Sequence, residues 1–300
     1  MKHFFSLSVL LISSSFFLSC KHKLPDQVTL SDTLFYSPDE PIGENLAPTE
    51  ERPAIYYGLY SPADVSSIFE RNNIGFNPSI LNPAENLSSY SGTSKLALNL
   101  GIYGADLSYI KIFQDPQLTT KYFQAIIEAS EKLGIPPDLL QNAAERIENN
   151  VDNPDSLNLI AGYTFQEIIR ILDEEDREET AFLMITGGWI EAMHIALQEL
   201  LSSNDEGLIR NIIEQKFALE YLLSSLKNHY NDPSVAYYYR MLFVLQKYYK
   251  KCRIAFSNKD FEIDRDTKTI QFAQNTLYYN ENDLERIKNI IKSIREIITE

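Results

Sequence analysis

From Lys95 to Phe113 the chain reads KLALNLGIYGADLSYIKIF, and its apolar positions have a helical period. Leu96, Leu100, Tyr103, Leu107 and Ile110 recur at alternating four- and three-residue steps, which places them on one helix face. Ala97, Gly101, Ala105 and Ser108 make a second face of small residues, and Leu98, Ile102 and Tyr109 fill much of the remainder. A helix apolar nearly all round belongs inside a protein. Asn99, Tyr103 and Asp106 are its polar stripe. Each glycine inside a helix costs about 1 kcal/mol relative to alanine, so Gly101 and Gly104 are expected to serve close packing.

Residues 181–197, AFLMITGGWIEAMHIAL, repeat this character. Setting Gly101 against Gly187 places Tyr103 opposite Trp189, and Glu191, His194 and Gln198 fall on one side of the second helix. These two segments are the expected core helices. Trp189 or another bulky residue of the second core helix is expected to form part of the neighbour of the Gly101 and Ala105 face. On that reading a leucine at 101 overpacks severely, while an alanine is mild because its helix propensity offsets part of the clash.

The other elements follow from punctuation and amphipathic stripes. Ser61-Pro62-Ala63-Asp64 is a helix start, with serine as cap and proline in the first turn. Asn77-Pro78 and Asn82-Pro83 open short helices. Further helices are predicted from 93 to 113, from Asp115-Pro116 to about Leu133, from Pro137 to Asn149 and from Asn153-Pro154 to about Leu172. They continue at roughly 176–202, 206–229 and 233–256. Phe261-Glu262-Ile263-Asp264 and Thr269-Ile270-Gln271-Phe272 alternate apolar and polar around a polar turn, a β-hairpin pattern. Leu284, Ile287, Ile291, Ile294 and Ile298 stripe a terminal helix that should dock on the domain. Short connections between helices of ordinary length mean antiparallel neighbours. The expected fold is therefore mainly all-α: an antiparallel multi-helix array of about eight to ten helices with one small β-hairpin near 261–272.

The amino terminus has a different organisation. Lys2 precedes an apolar run, Phe4 to Leu18, that is too short for a mature membrane span and ends in Leu18-Ser19-Cys20. This resembles the lipobox of bacterial lipoproteins: an aliphatic residue, then a small residue immediately before the cysteine. The resemblance implies a signal peptide over 1–19, cleavage before Cys20, a diacylglycerol on its sulfur and an acylated amino terminus. Lys21, rather than aspartate, follows the cysteine. By the sorting rule of that family this implies an outer-membrane lipid anchor; a periplasm-facing domain is the expectation, with surface exposure as the alternative. Several acyl chains anchor stably where one binds reversibly. Residues 20–54 carry Pro25, Pro38, Pro41, Pro48 and Pro53 without sustained apolar periodicity and read as a tether, about 30 Å end to end if flexible. A single helical domain is expected over 55–300.

The formal charge of −15 argues against nucleic-acid binding, which needs a basic footprint. It also makes lipid, not surface charge, the expected attachment to the membrane. With Cys20 lipidated, Cys252 is left without a disulfide partner, so the fold must stand on its hydrophobic core. Lys250, Lys251 and Arg253 could activate the Cys252 thiol, but a small core residue is the simpler reading.

The chemistry-bearing candidates are few. Glu191 and His194 have the Glu-x-x-His spacing that di-iron bundles use on two helices; it occurs once here, so no metal is expected. Asn99, Tyr103, Asp106, Trp189, Glu191 and His194 are the candidate lining of a polar pocket between the core helices; the simpler reading of the Asn99, Tyr103 and Asp106 stripe is a buried network that fixes helix register, or the water-facing edge of the helix. Asp173 to Glu179 (DEEDREE) lacks the alternating ligands and glycine of a calcium loop. Tyr237, Tyr238, Tyr239, Tyr248 and Tyr249 could form an aromatic platform or belong to core and rim. No nucleophile motif, phosphate loop or zinc pattern is present, so no catalytic residue and no cofactor is expected. The run Ala97 to Tyr109 (ALNLGIYGADLSY), with Ser61-Pro62 and Asn82-Pro83, resembles a set of envelope lipoproteins of no assigned activity. The resemblance implies a lipidated helical protein and brings no catalytic residue. The expected function is a non-enzymatic binding or scaffold module of the cell envelope, with a partner protein or another cell-envelope component to bind. The alternative is a small-molecule binder or enzyme with its site between helices 94–113 and 181–200.

Overall fold

Four Asx-Pro pairs open helices in this chain. Asn77, Asp115, Asn153 and Asp232 each turn their side-chain oxygen back onto amides of the first turn, with proline just inside the start. The computed structural model describes residues 75–300, apart from 114, 151–152, 204, 256–260, 265–268 and 273–275. The expected signal peptide, Cys20, the tether and the Ser61-Pro62 helix lie outside the described residues, as does the expected domain start at 55.

Two 3-10 turns, Pro78–Ile80 and Ala84–Ser89, lead into α1 (Thr93–Ile112). There follow α2 (Pro116–Lys132), α3 (Pro137–Glu148), α4 (Pro154–Glu174), α5 (Glu178–Ser203), α6 (Glu206–Asn228) and α7 (Pro233–Tyr249). After the strands β1 (Arg253–Ala255), β2 (Phe261–Asp264), β3 (Thr269–Phe272) and β4 (Thr276–Tyr278), α8 (Glu281–Thr299) closes the chain. The described residues thus form an all-α multi-helix fold with a small β appendage.

The β2–β3 hairpin pairs in antiparallel register, Phe261 with Phe272 and Asp264 with Thr269. One expectation fails beside it. A helix was expected to run to about 256, but α7 stops at Tyr249 and Arg253–Ala255 pairs with Thr276–Tyr278 as a second antiparallel pair. The physical reason lies at Cys252. It is fully buried, and its amide closes the last turn of α7 onto the Tyr249 carbonyl, after which Arg253-Ile254-Ala255 alternates exposed and half-buried, a strand's period.

The centre of the molecule is the packing of α1 on α5, its most extensive helix–helix contact. The neighbouring pairs Leu98–Gly187, Gly101–Gly188 and Tyr109–Glu199 advance together along both helices, so the two run parallel. Leu98, Leu100, Ile102, Tyr103, Ile110, Met184, Ile190 and Met193 have no measurable exposure. From Glu178 to Leu200 α5 has the length and hydropathy of a membrane span, yet 78% of that stretch is buried inside the domain, as expected of a core helix. α8 lays Ile287, Ile291, Ile294 and Ile298 of its stripe into the core, with Leu284 at the rim.

The neighbour of Gly101 is not Trp189. A Cβ on Gly101 would coincide with the backbone carbonyl of Met184 and stand 2.6 Å from the amide nitrogen of Gly188. A Cβ on Gly187 would coincide with the Leu98 carbonyl. The two backbones touch, and the glycine hydrogens that replace Cβ point at carbonyl oxygens, a Cα–H···O arrangement. Trp189 turns the other way, its indole N–H donating to Gln215 of α6 at 2.9 Å.

This corrects the expectation that alanine is mild at 101, because what it would strike is backbone, which cannot rotate aside. Gly101→Ala and Gly187→Ala should each destabilise at least as strongly as core overpacking usually does, about 1–3 kcal/mol, and Gly101→Leu more. Gly162→Ala on α4 is the control. Nothing lies within 4 Å of its Cβ position, so alanine should be neutral or stabilising by up to about 1 kcal/mol. Denaturant melts of the four variants check the pattern. Equal stability for Gly101→Ala and Gly162→Ala would refute the backbone contact.

Candidate functional site

The polar stripes of α1 and α5 do meet. Asn99, Tyr103 and Asp106 of α1 and Glu191 of α5 all have no measurable exposure, and they sit in one hydrogen-bonded network closed by residues from two other places. One is the segment before α1, which supplies Asn82 and Tyr90. The other is α8, which supplies Arg295 and the carbonyls of its last turn.

Arg295 grips Glu191 with two hydrogen bonds, Nε to Oε2 at 2.6 Å and Nη2 to Oε1 at 2.8 Å, and Nη2 also donates to the Ile80 carbonyl at 2.9 Å. Two-point guanidinium–carboxylate pairing is the geometry arginine provides and lysine cannot. The Asp106 carboxyl accepts the Asn82 amide on Oδ2 at 3.2 Å and lies within hydrogen-bonding reach of Glu191. Asn82 also donates its side-chain amide to the Tyr90 hydroxyl (3.1 Å) and to Asn99 Oδ1 (3.2 Å). The Tyr103 hydroxyl donates to the Pro83 carbonyl at 3.2 Å.

The last carbonyls of α8, which have no partners within a helix, are met by the same group. Lys95 donates to Ile297 at 2.7 Å, Asn99 to Ile298 at 2.9 Å and Tyr90 to Thr299 at 3.0 Å. The network therefore does two jobs at once: it satisfies polar atoms on the core helices and caps the terminal helix.

The electrostatics follow from burial. Desolvation, reinforced by the neighbouring Glu191, holds the Asp106 carboxyl well above the ordinary carboxylate range against the opposing pull of Arg295. Glu191 is also raised by burial, with Arg295 opposing. His194 is buried, and burial together with the positive charges of Arg295 and Lys292 lowers its pKa to about 3, so it is a neutral imidazole under ordinary conditions. Tyr103 and Tyr122 are raised, chiefly by burial.

The structure thus unites four of the six candidate residues. Trp189 of α5 points away from the group, toward Gln215 of α6, and His194 lies at the edge of the network. Glu191 gives both oxygens to Arg295 rather than to His194, so the Glu-x-x-His spacing does not become an interaction. Among the described residues no group of three or more His, Cys, Asp or Glu is placed to hold a metal ion. Cys252 is a core residue whose thiol is raised by burial, not activated. The tyrosine platform does not form: Tyr238, Tyr239 and Tyr249 are buried, and the Tyr249 hydroxyl donates to the Ile212 carbonyl. DEEDREE spans the α4–α5 connection, where Arg177 donates to the Leu133 carbonyl at 2.6 Å.

Sequence reasoning missed Arg295, Asn82, Tyr90 and Glu199, which meets the Tyr109 hydroxyl at 3.2 Å. A charge argument could have found Arg295. Two carboxylates on core helices demand a cation, and Arg295 sits four residues after Ile291 and three before Ile298, on the edge of the buried stripe of α8. No family model matches this chain, and no curated protein or solved structure matches it either.

Two predictions follow from this geometry. Arg295→Met would leave Glu191 buried without its cation, and should cost about 3–5 kcal/mol, with Arg295→Lys recovering only part because one ammonium cannot make both bonds. Urea melts measure this; a melt within error of the parent would show the pair to be idle. For His194 the lowered pKa means that the unfolded chain takes up a proton the folded chain refuses. Stability should be fully present above the ordinary value of 6.5 and decline as pH falls toward about 3. An imidazole NMR signal for His194 that titrates near 6.5 would contradict this.

Proposed function

We propose that this chain is a membrane-anchored lipoprotein whose helical domain is a non-enzymatic binding or scaffold module of the cell envelope. The anchor rests on the sequence: Lys2, the apolar run and Leu18-Ser19-Cys20, with a net charge of −15 that leaves lipid as the route to the membrane. The observation that carries the second half is the state of the candidate site. Asn99, Tyr103, Asp106 and Glu191 are buried and turned on one another, on Arg295 and on the end of α8, where they hold the fold.

The alternative, a ligand or substrate site between helices 94–113 and 181–200, needs space there. At Gly101 and Gly187 the backbones are in contact, and farther along, Asp106 and Glu191 are fully buried with Glu191 paired to Arg295. That geometry favours the first reading. A partner would be met on the outside. Leu159 and Tyr163 of α4, 74% and 50% exposed and one turn apart, present apolar surface on either side of the open Gly162.

Two experiments test the proposal. Cys20→Ala should move the protein from membrane to soluble fraction and abolish incorporation of labelled palmitate; a processed variant that stays with the membrane would defeat the lipid anchor. Crosslinking of the intact lipoprotein in membranes should capture an envelope protein. Leu159→Asp combined with Tyr163→Ala should abolish the crosslink without shifting the melt. Unchanged capture by the double variant would remove α4 as the binding surface.

A further inference from the structure

The hydrogen-bond accounting of the buried network leaves one atom over. Asp106 Oδ1 is buried and, alone among the buried side-chain nitrogens and oxygens of the described residues, has no donor directed at it. The Asp106 carboxyl lies within hydrogen-bonding reach of another carboxyl, that of Glu191. Glu191 already accepts from Arg295 on both oxygens, and Asp106 already accepts from Asn82 on Oδ2. Two carboxylates facing each other in a buried site, with one arginine beside them, would carry a net negative charge that burial makes costly.

We infer that Asp106 keeps its proton in the folded protein, and that its Oδ1–H donates to the ionised Glu191, completing a neutral Asp106–Glu191–Arg295 unit that locks α8 to the core. One added hydrogen completes the accounting. Asp106 becomes a neutral acid with its carbonyl oxygen on the Asn82 amide and its hydroxyl on Glu191. Glu191 is the single anion and is matched by the guanidinium of Arg295. The polar and charged groups around the pair fit this assignment. Tyr103 of α1, Tyr122 of α2 and Tyr90 ahead of α1 are uncharged, because their own pKa values are raised. His194 of α5 is neutral, and Lys292 of α8 is felt at His194. Arg295 remains the cation that faces both carboxyls. The proton is then a component of the fold, taken up when the chain folds and released when it unfolds.

The sign of the pH dependence follows. A carboxyl whose folded pKa is raised is protonated in the folded chain where the unfolded chain has lost its proton. Its stabilisation is complete below the ordinary carboxylate range and is lost as pH rises toward the raised value. The clean window lies above the ordinary His194 value of 6.5 and below the Lys111 amine, which burial lowers to about 8. Within it the folding equilibrium constant of the wild type should fall with rising pH, by up to about tenfold per unit for one proton.

Asp106→Asn is the diagnostic variant, since its side-chain amide can donate to Glu191 while its oxygen accepts from Asn82. It should fold and lose the slope. A wild type without the slope, or an Asp106→Asn protein that keeps it, overturns the inference. A second measurement needs no variant. Infrared spectra of wild type at neutral pH, with and without carbon-13 aspartate labelling, should show one neutral carboxyl stretch that shifts with the label. Absence of any neutral carboxyl band, or a band that ignores the aspartate label, overturns the assignment to Asp106.

Discussion

The contact between the backbones of α1 and α5 sets the terms for the rest of the molecule. Hydrogen atoms at Gly101 and Gly187 replace side chains, so the two helices approach until each glycine meets the carbonyl of its neighbour, Met184 or Leu98. Lipid-embedded helices use small residues in the same way, to gain dispersion and Cα–H···O contacts over a long seam. Here the seam lies inside a helical domain, and both helices are buried on nearly every side. The cost of glycine within a helix is offset by contact that no other residue permits.

Such close approach has a consequence for charge. Asp106 lies five residues beyond Gly101, and Glu191 three beyond Gly188, so a parallel crossing at the glycines carries two carboxyls into one buried layer. The fold answers with Arg295 from the far end of the chain. The neighbours of that pair, Asn99, Lys95 and Tyr90, reach the terminal carbonyls of α8. Thus α8 is fastened at two kinds of point. Ile287, Ile291, Ile294 and Ile298 supply apolar burial without orientation, while Arg295 and the capped carbonyls set the register. Buried polar networks of this kind contribute specificity of arrangement more dependably than net stability.

How much of this could be read from the chain alone divides along physical lines. Local signals were dependable: Asx-Pro caps, the apolar circumference of residues 93–113 and 181–197, the stripe of α8 and the alternation at 261–272 each depend on neighbours within a few residues. The end of α7 was not legible, because the strand at 253–255 is decided by partners more than twenty residues later, at Thr276–Tyr278. The face of the Gly101 seam was legible, but its neighbour was not. Likeness of composition picked out the right two helices, but the expectation that Trp189 or another bulky side chain meets Gly101 failed, since helix phase cannot be read from composition. Asn99, Tyr103, Asp106 and Glu191 were recognisable as a group. Their countercharge was not, because Arg295 is separated from Glu191 by 104 residues.

With α8 and the polar network built upon it, the α1–α5 seam should be the last part of the domain to come apart. Native-state hydrogen exchange tests that order most directly. Amides of Leu98 to Ile102 and of Met184 to Gly188 should exchange only through global unfolding, with a free energy equal to that from denaturant melts, while α3, α4 and the β strands open at lower cost. Exchange of the seam amides through local opening, at a free energy below that of α4, would contradict the account.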